Sequence, residues 1–313
     1  MSIDKKFIDQ FINITSKAAL ASSYLVGKKD KIAADKAAVD SMRSNLNNLE
    51  IKGQIVIGEG ELDEAPMLYI GEKVGKNKGP EFDIAVDPLE GTNFAANNLP
   101  GALSVIAITE KDNLFKAPET YMEKISTKVN EKNVVDLDFS VKDNIFNLCE
   151  YLNKKPENLT ACILDRPRHD KTIKELKELK VKIKLITDGD ISGAILVTNE
   201  KYDVDIFLGI GGGPEGVLAA AALDAFNCGF QGRFLFKTDD EKKRAKKMGI
   251  KDFSKKYDLK EIVSGDSIFC ATGITDSELV SGIKLYGNEF ISETLVTHKS
   301  SGLKKTIKLK QKI

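Results

Sequence analysis

The sequence predicts an α/β protein of more than one domain, and three observations carry that expectation. Its 313 residues exceed the usual range of a single domain. Apolar runs of strand length recur along the chain between segments of helical periodicity. From residue 160 the two alternate, as in a partly parallel sheet covered by helices.

Element by element, Phe7, Phe11, Ile14, Ala18, Ala21 and Leu25 follow helical spacing, and Gly27 is placed to close that helix as its C′ residue. A second helical pattern runs from about 33 to 49 through Ala34, Ala38, Met42 and Leu46. Strands follow at 54–57, 82–86 and 103–108. The lysine- and asparagine-rich stretch 126–133, with the polar stretch 153–158, reads as a crossing between halves. It divides the chain into domains 1–157 and 158–313. Beyond it come strand 160–164, helix 169–179, strand 181–186, helix 191–198, strand 203–208 and helix 214–227. Strands near 267–271 and 290–297 can pair with either half, so C-terminal strands at 290–313 are candidates to complete the first domain.

Composition narrows the function. Hydrophobic residues at 42% and charged residues at 30% describe an ordinary globular chain. Lys plus Arg (47) equals Asp plus Glu (47), so no global field draws in nucleic acid or an anionic membrane. Any phosphate recognition must therefore be local. The apolar stretches are far shorter than a membrane span and MSIDKKFIDQ has no signal-peptide core, which points to the cytoplasm. Cys149, Cys162, Cys228 and Cys270 lack CxxC spacing and read as buried free thiols. With only His169 and His298, multi-histidine zinc catalysis has too few ligands, and no G-x-S-x-G elbow is present.

Carboxylates beside glycines are what remain. In FDIAVDPLEGTNF, residues 82–94, an apolar run ends on Asp87, and Pro88 keeps Asp87 extended as the last residue of a buried strand. Glu90 follows a tight turn later, and Gly91-Thr92 opens a helix. Two carboxylates beside helix N-terminal amides suit divalent cations and a phosphate together, the equipment of a metal-dependent phosphatase. An ordinary turn with a helix-start carboxylate is the plainer alternative. Hard oxygen ligands favour Mn²⁺ or Mg²⁺.

Five more loops carry candidate chemistry. Lys31 and Asp35 stand at i, i+4 and share a helix face, either as site residues or as a surface ion pair. In IVIGEGELDEAP a strand runs into Glu59, Glu61, Asp63 and Glu64, a like-charged loop that needs cations or solvent. In ILDRPRHD, Arg166 and Arg168 flank Pro167 after a strand and suit bidentate phosphate capture. In LITDGDISG, Asp188 and Asp190 end another strand around Gly189. In FLGIGGGPEGV, four glycines in five residues precede Pro214 at a helix N1 position, an anion-binding geometry. Glu215 would repel a pyrophosphate there, so a bound cation fits better than a dinucleotide.

Taken in order, IGEGELDEAPMLYIGE, DPLEGT, APETYMEK, LDRPRH, TDGDISGA and GIGGGPEGV closely resemble class II (GlpX-type) fructose-1,6-bisphosphatase over about residues 30–226. DPLEGT is similar more broadly to the lithium-sensitive sugar and inositol phosphatases, whose usual aspartate is Glu90 here. The resemblance implies a layered αβαβα sandwich of two domains, a cytoplasmic homo-oligomer (dimer or tetramer) using Mn²⁺ or Mg²⁺, and a sugar bisphosphate as partner. It implies gluconeogenic hydrolysis of the 1-phosphate of fructose 1,6-bisphosphate, with sedoheptulose 1,7-bisphosphate as an alternative or second substrate. Carried over residue by residue, Asp35, Glu59, Asp87, Glu90 and Glu215 match metal ligands. Lys31, Asp63 and Thr92 match catalytic positions, Thr92 orienting the attacking water. Glu90, Gly91, Thr92, Tyr121, Arg166, Pro167, Arg168, Asp188, Gly189, Asp190 and Gly212 match substrate-binding positions, with Arg166 and Arg168 toward the remote 6-phosphate. Two rivals stay open. Asp188-x-Asp190 also looks like the aspartyl nucleophile of haloacid-dehalogenase phosphatases, and the 209–216 loop would serve a non-catalytic sugar-phosphate or nucleotide sensor.

Overall fold

Apolar residues at helical spacing fold the first fifty residues into α1 (Lys6–Ser23) and α2 (Lys31–Asn47) of this computed structural model, which describes residues 2–60 and 67–313. The first helix ends earlier than its spacing predicts. Tyr24 is its C-cap, and Gly27, at φ 78°, sits three residues further on, where its N–H donates to Ala95 O at 2.9 Å. The glycine thus shapes the following loop and not the cap. Asp30 caps α2 by accepting from Ala33 N at 2.9 Å, so that helix starts at Lys31.

Next come β1 (Lys52–Ile57), β2 (Lys73–Val74), β3 (Glu81–Glu90), α3 (Thr92–Ala96) and β4 (Leu103–Glu110). A second set follows: β5 (Tyr121–Thr127), α4 (Val141–Leu152), β6 (Thr160–Leu164), α5 (Asp170–Glu178), β7 (Lys182–Ile186), α6 (Asp190–Ile195), β8 (Ile206–Gly212), α7 (Gly213–Phe226), β9 (Gly229–Leu235), α8 (Asp239–Lys247), β10 (Lys256–Asp258) and α9 (Leu259–Ile262). The chain closes with β11 (Ser267–Gly273), β12 (Lys284–Tyr286), β13 (Glu289–His298) and β14 (Leu303–Lys312).

Two compact units result, Met1–Lys116 with Val263–Ile313, and Ala117–Ile262. The division at 157/158 expected from the polar stretches is therefore displaced. Ser126 and Thr127 are the last residues of β5 and 128–133 follow directly from it, and β5 pairs with both β8 and β9 inside the second unit. The chain leaves and re-enters the first unit at adjacent points, where Leu114 bridges Val263.

In the first unit one sheet runs β12-β13-β11-β4-β3-β1-β2, with β14 on β13. The C-terminal strands do complete this unit, β11 lying antiparallel on β4 with Cys270 opposite Ile106. Phe7 and Phe11 of α1 and Met42 and Leu46 of α2 pack on Ile84, Val86, Ile106 and Ile268 of the sheet. Phe7 meets Phe82 edge-on, ring centroids 5.1 Å apart. Truncating fully buried Phe11 to alanine costs about 3–5 kcal/mol on that account.

The second unit holds a sheet in the order β10-β9-β5-β8-β6-β7, in which β7, β6 and β8 run parallel. Alternation along β5 covers both faces. Ile125 packs with Ile145 and Leu148 of α4 and Leu176 of α5. On the opposite side Ser126 Oγ donates to Ala194 O in α6 at 3.2 Å, and Lys124 and Met122 lie against Gly216 of α7. A helix–sheet unit and a helix–sheet–helix unit make this a layered α/β protein. All four cysteines are buried and free, as their scatter predicts. Among the described residues no helix is long and apolar enough to cross a membrane.

Candidate active site

β1 and β3 are parallel neighbours, with Ile57 opposite Ala85, so the chain that leaves β1 toward Glu59 emerges at the end of the sheet where Asp87 lies. The exit from β1 runs tight against the chain that returns to it: a Cβ on Gly58 would collide with Leu68 O, while Glu59 N donates to that same oxygen at 3.0 Å. Asp87 is not the last residue of its strand. It pairs with Val105, and the next pair is Glu90 with Leu103, so Pro88 and Leu89 stand opposite one residue, Ser104. Pro88 has no N–H for the ladder, and a bulge absorbs it. The bulge, rather than a tight turn, separates Asp87 from buried Glu90.

Gly91 then takes φ 77° as N-cap of α3, where a Cβ would press on Phe94, and Thr92 is the first helical residue. The start of α2 is fastened beside α3. Lys29 N donates to Ala96 O at 2.9 Å, and Ala34 and Ala38 pack with Leu89, Phe94 and Ala95. That places Lys31 and Asp35 at the same sheet edge as Asp87, Glu90 and Thr92. On α2 it is Lys36 and Asp40, not Lys31 and Asp35, that form an i, i+4 ion pair, at 3.0 Å. Burial raises the Asp35 carboxyl above its ordinary range, and no cation among the described residues offsets it. Asp63, with Glu61 and Glu64, lies outside the described residues.

In the second unit the parallel strands β6, β7 and β8 all release their loops at one edge, and antiparallel β5 begins there, Tyr121 opposite Gly212. Ligands of parallel α/β sheets bind at this end. Arg166 is extended before Pro167, which starts a 3-10 turn ending at His169. Arg168 places its guanidinium 5.2 Å from the Tyr121 ring centre, and Lys237 places its ammonium 4.4 Å from the same ring.

Gly189 at φ 85° caps α6 between Asp188 and Asp190, and its N–H donates to Asp188 Oδ1 at 3.1 Å. Asp190 Oδ2 pairs with Lys124, a lysine buried within β5 that also donates to Gly212 O at 2.7 Å. The buried Asp190 Oδ1 finds no hydrogen-bond partner among the described residues.

The glycine run behaves differently from its sequence reading. Gly209, Gly211 and Gly212 belong to β8 itself, and the helix begins at Gly213, so Pro214 is its second residue. A Cβ on Gly211 would strike the Asp190 carboxylate, and one on Gly212 the Glu215 carboxylate. The glycines thus make room for carboxylates and not for an anion. Burial raises the Glu215 carboxyl, Lys124 opposes that rise, and Asp190 and Asp188 reinforce it.

No three His, Cys, Asp or Glu side chains among the described residues already stand as a metal cage. The donor set nevertheless fits a hard divalent cation. In the first unit Asp35, Asp87 and Glu90 are all carboxylates, and burial raises the Asp35 carboxyl with no offsetting cation among the described residues. In the second unit, considered by itself, burial raises Glu215 and Lys124 offsets it only in part. Three residues in or against the site were given no role by sequence reasoning: Lys124, His169 and Lys237. A lysine alternating with Met122 and Ser126 in a strand was the available clue to the first.

The family of bacterial fructose-1,6-bisphosphatases encoded by glpX matches residues 5–311 of this chain. The chain belongs to that family. Fructose-1,6-bisphosphatase 1 class 2 of Escherichia coli K12 is 42% identical over 97% of this chain and 94% of its own length. A protein of Trichodesmium erythraeum named D-fructose 1,6-bisphosphatase class 2/sedoheptulose 1,7-bisphosphatase is 39% identical over 93% of this chain and 92% of its own. Among solved structures, CysQ of Bacteroides thetaiotaomicron, a bacterial member of the inositol monophosphatase family, is 16% identical over 65% of this chain and 79% of its own. Its TM-score of 0.36 is too low to bear on fold or function.

Proposed function

We propose that this class II fructose-1,6-bisphosphatase removes the 1-phosphate of fructose 1,6-bisphosphate by direct attack of water, yielding fructose 6-phosphate and inorganic phosphate. The family match across residues 5–311 carries the reading, and the carboxylates and arginines at the two sheet edges support it. Asp35, Glu59, Asp87, Glu90 and Glu215 would hold Mn²⁺ or Mg²⁺. A bound divalent ion would neutralise phosphoryl charge and lower the pKa of a water. Thr92 orients the attacking water, with Lys31 and Asp63 as further catalytic groups. Arg166 and Arg168 hold the 6-phosphate, whose binding energy aligns the reacting end. Asp188, Gly189, Asp190 and Gly212 contact the sugar.

Release of inorganic phosphate and fructose 6-phosphate with added Mn²⁺ or Mg²⁺, lost with a chelator, is the expected result. Binding without release under either metal would establish a sensor instead. The double name of the Trichodesmium relative favours a second reading, in which sedoheptulose 1,7-bisphosphate is also hydrolysed. Comparing kcat/KM for the two bisphosphates tests it, and a ratio above about a thousandfold would remove the second substrate.

A further inference from the structure

Buried His169 uses both ring nitrogens on the backbone. Its Nδ1 lies 2.7 Å from Leu164 O, and its Nε2 lies 2.7 Å from Ile210 N. A carbonyl demands a proton on Nδ1 and an N–H demands a lone pair on Nε2, so one neutral tautomer satisfies the site. Ile210 is gripped a second time, since Arg168 Nε donates to Ile210 O at 2.8 Å.

The position of that grip explains it. β6 and β8 pair only at Ala161 with Ile206 and Cys162 with Phe207, and further along their ladder has ended. A strand residue turns its N–H and C=O to the same side, so beyond the ladder Ile210 presents both toward the turn at 167–169. His169 and Arg168 take them as a neighbouring strand would. Gly209 leaves space for the ring, because a Cβ there would lie 3.1 Å from Nε2.

We infer that His169 is a positioning residue for Arg168: neutral, it clamps the turn after β6 to Ile210 and so fixes the guanidinium beside Tyr121. This rests on the reading of Arg168 as a ligand of the remote phosphate. The clamp spends only Nε of that arginine among the described hydrogen bonds, leaving its terminal nitrogens outside the clamp. Protonation would set N–H against N–H at Ile210 and release the turn. Burial holds the imidazole in its neutral form by lowering its pKa. Arg168 and Arg166 act the same way, while Asp190 and the bond to Leu164 O oppose them.

Two replacements separate the nitrogens. His169→Gln keeps an acceptor in reach of Ile210 N, whereas His169→Asn keeps a donor for Leu164 O and leaves Ile210 N without its partner. In holoenzyme of each variant, KM for fructose 1,6-bisphosphate is expected to rise about tenfold for Asn and less than about threefold for Gln. Hydrolysis of p-nitrophenyl phosphate, which has no remote phosphate, should stay within about twofold in both and reports that the fold is intact. The bisphosphate KM of the wild type should also rise on the acid side of neutrality, relative to that of the Gln variant. Equal effects of Asn and Gln, or parallel losses on both substrates, would overturn the positioning role. Should Arg168→Ala itself leave bisphosphate KM unchanged, the remote-phosphate reading fails first. Should it raise KM while the His169 variants do not, only this inference fails.

Discussion

Lys124, almost wholly buried in the middle of β5, forms an ion pair with Asp190 at the first residue of α6. The same ammonium reaches Gly212 O, and it opposes the rise in the Glu215 carboxyl. One cation thus steadies three candidate ligand positions of the second unit. Removing one partner of a buried pair costs about 3–5 kcal/mol, whereas removing both charges is close to neutral. Lys124→Met should therefore lower the unfolding temperature sharply and abolish turnover. Adding Asp190→Asn should restore most of the stability and none of the activity. A double variant as unstable as Lys124→Met in thermal unfolding would deny the pair its place.

The carboxylates at the edge of the first unit should behave in the opposite way. Asp87→Ala or Glu90→Ala relieves like charge instead of opening the core, so the fold should persist. Turnover with saturating Mn²⁺ should fall by about a thousandfold or more, the scale of several kcal/mol of lost charge stabilisation. Isothermal titration of Mn²⁺ gives a second readout, and wild-type affinity together with near-normal turnover in Asp87→Ala would rule out the metal assignment.

How much of this was legible in the sequence depends on what each residue type advertises. The apolar run of β3, the glycine at 91 and the proline within ILDRPRHD mark strand ends and turns by their own chemistry, so both edges could be located. Register could not. That β1 and β3 deliver Glu59 and Asp87 to the same end of the sheet follows from the parallel pairing of Ile57 with Ala85, a contact between strands with no trace in either segment. β5 was hidden because Glu123 and buried Lys124 interrupt its apolar pattern. β14 falls within the C-terminal strands expected at 290–313, but its bounds are not legible because lysines dilute the alternation of Leu303, Ile307 and Leu309, which pack on the core from an otherwise exposed strand. Once β5 was missed, the polar stretch after it was bound to look like a domain boundary.

Acid stability should report a different cluster, in the first unit. Buried Asp266 accepts from Ile3 N at 2.7 Å, Ser300 N at 2.8 Å and Ser267 N at 3.0 Å, and lies 3.1 Å from His298 Nε2. Burial alone would raise its pKa, but hydrogen bonds from Ser300 and Ile3 outweigh burial and hold it below the ordinary value. A depressed carboxyl contributes stability that is present above its unfolded pKa, near 4, and is lost as pH falls through the folded value. Asp266→Asn should thus destabilise at pH 7 by about 1–3 kcal/mol and by progressively less below pH 4. A constant difference across that range, measured by denaturant unfolding, would show that Asp266 does not carry the acid limb.

The route of attack is open to a direct test at Asp188. Its Oδ1 accepts from Gly189 N at the mouth of α6, a geometry suited to holding a sugar hydroxyl with the other oxygen. With water as nucleophile, Asp188→Asn should raise KM for fructose 1,6-bisphosphate about tenfold, and no phosphoenzyme should form in the wild type. Rapid acid quench followed by mass spectrometry of the Asp188 peptide decides it. A phosphorylated Asp188 that turns over with the substrate would transfer the mechanism to a covalent, dehalogenase-like route.

Arg168 distinguishes a bisphosphatase from a general phosphatase. It is exposed, spends Nε on Ile210 O and stacks near Tyr121, where Lys237 adds a second positive charge. A charge-assisted contact contributes about 1.5–3 kcal/mol, so Arg168→Ala should lower kcat/KM for fructose 1,6-bisphosphate about ten- to a hundredfold. Slow hydrolysis of p-nitrophenyl phosphate, which carries one phosphate, should change little in the same variant. Phosphate ester binding is also salt-sensitive where exposed cations supply it, so the wild type should lose bisphosphate affinity with rising ionic strength more steeply than Arg168→Ala does. Equal losses on both substrates would mean that the arginine serves the reacting phosphate or the fold, and the remote phosphate would have to be sought at Lys237 or elsewhere along that sheet edge.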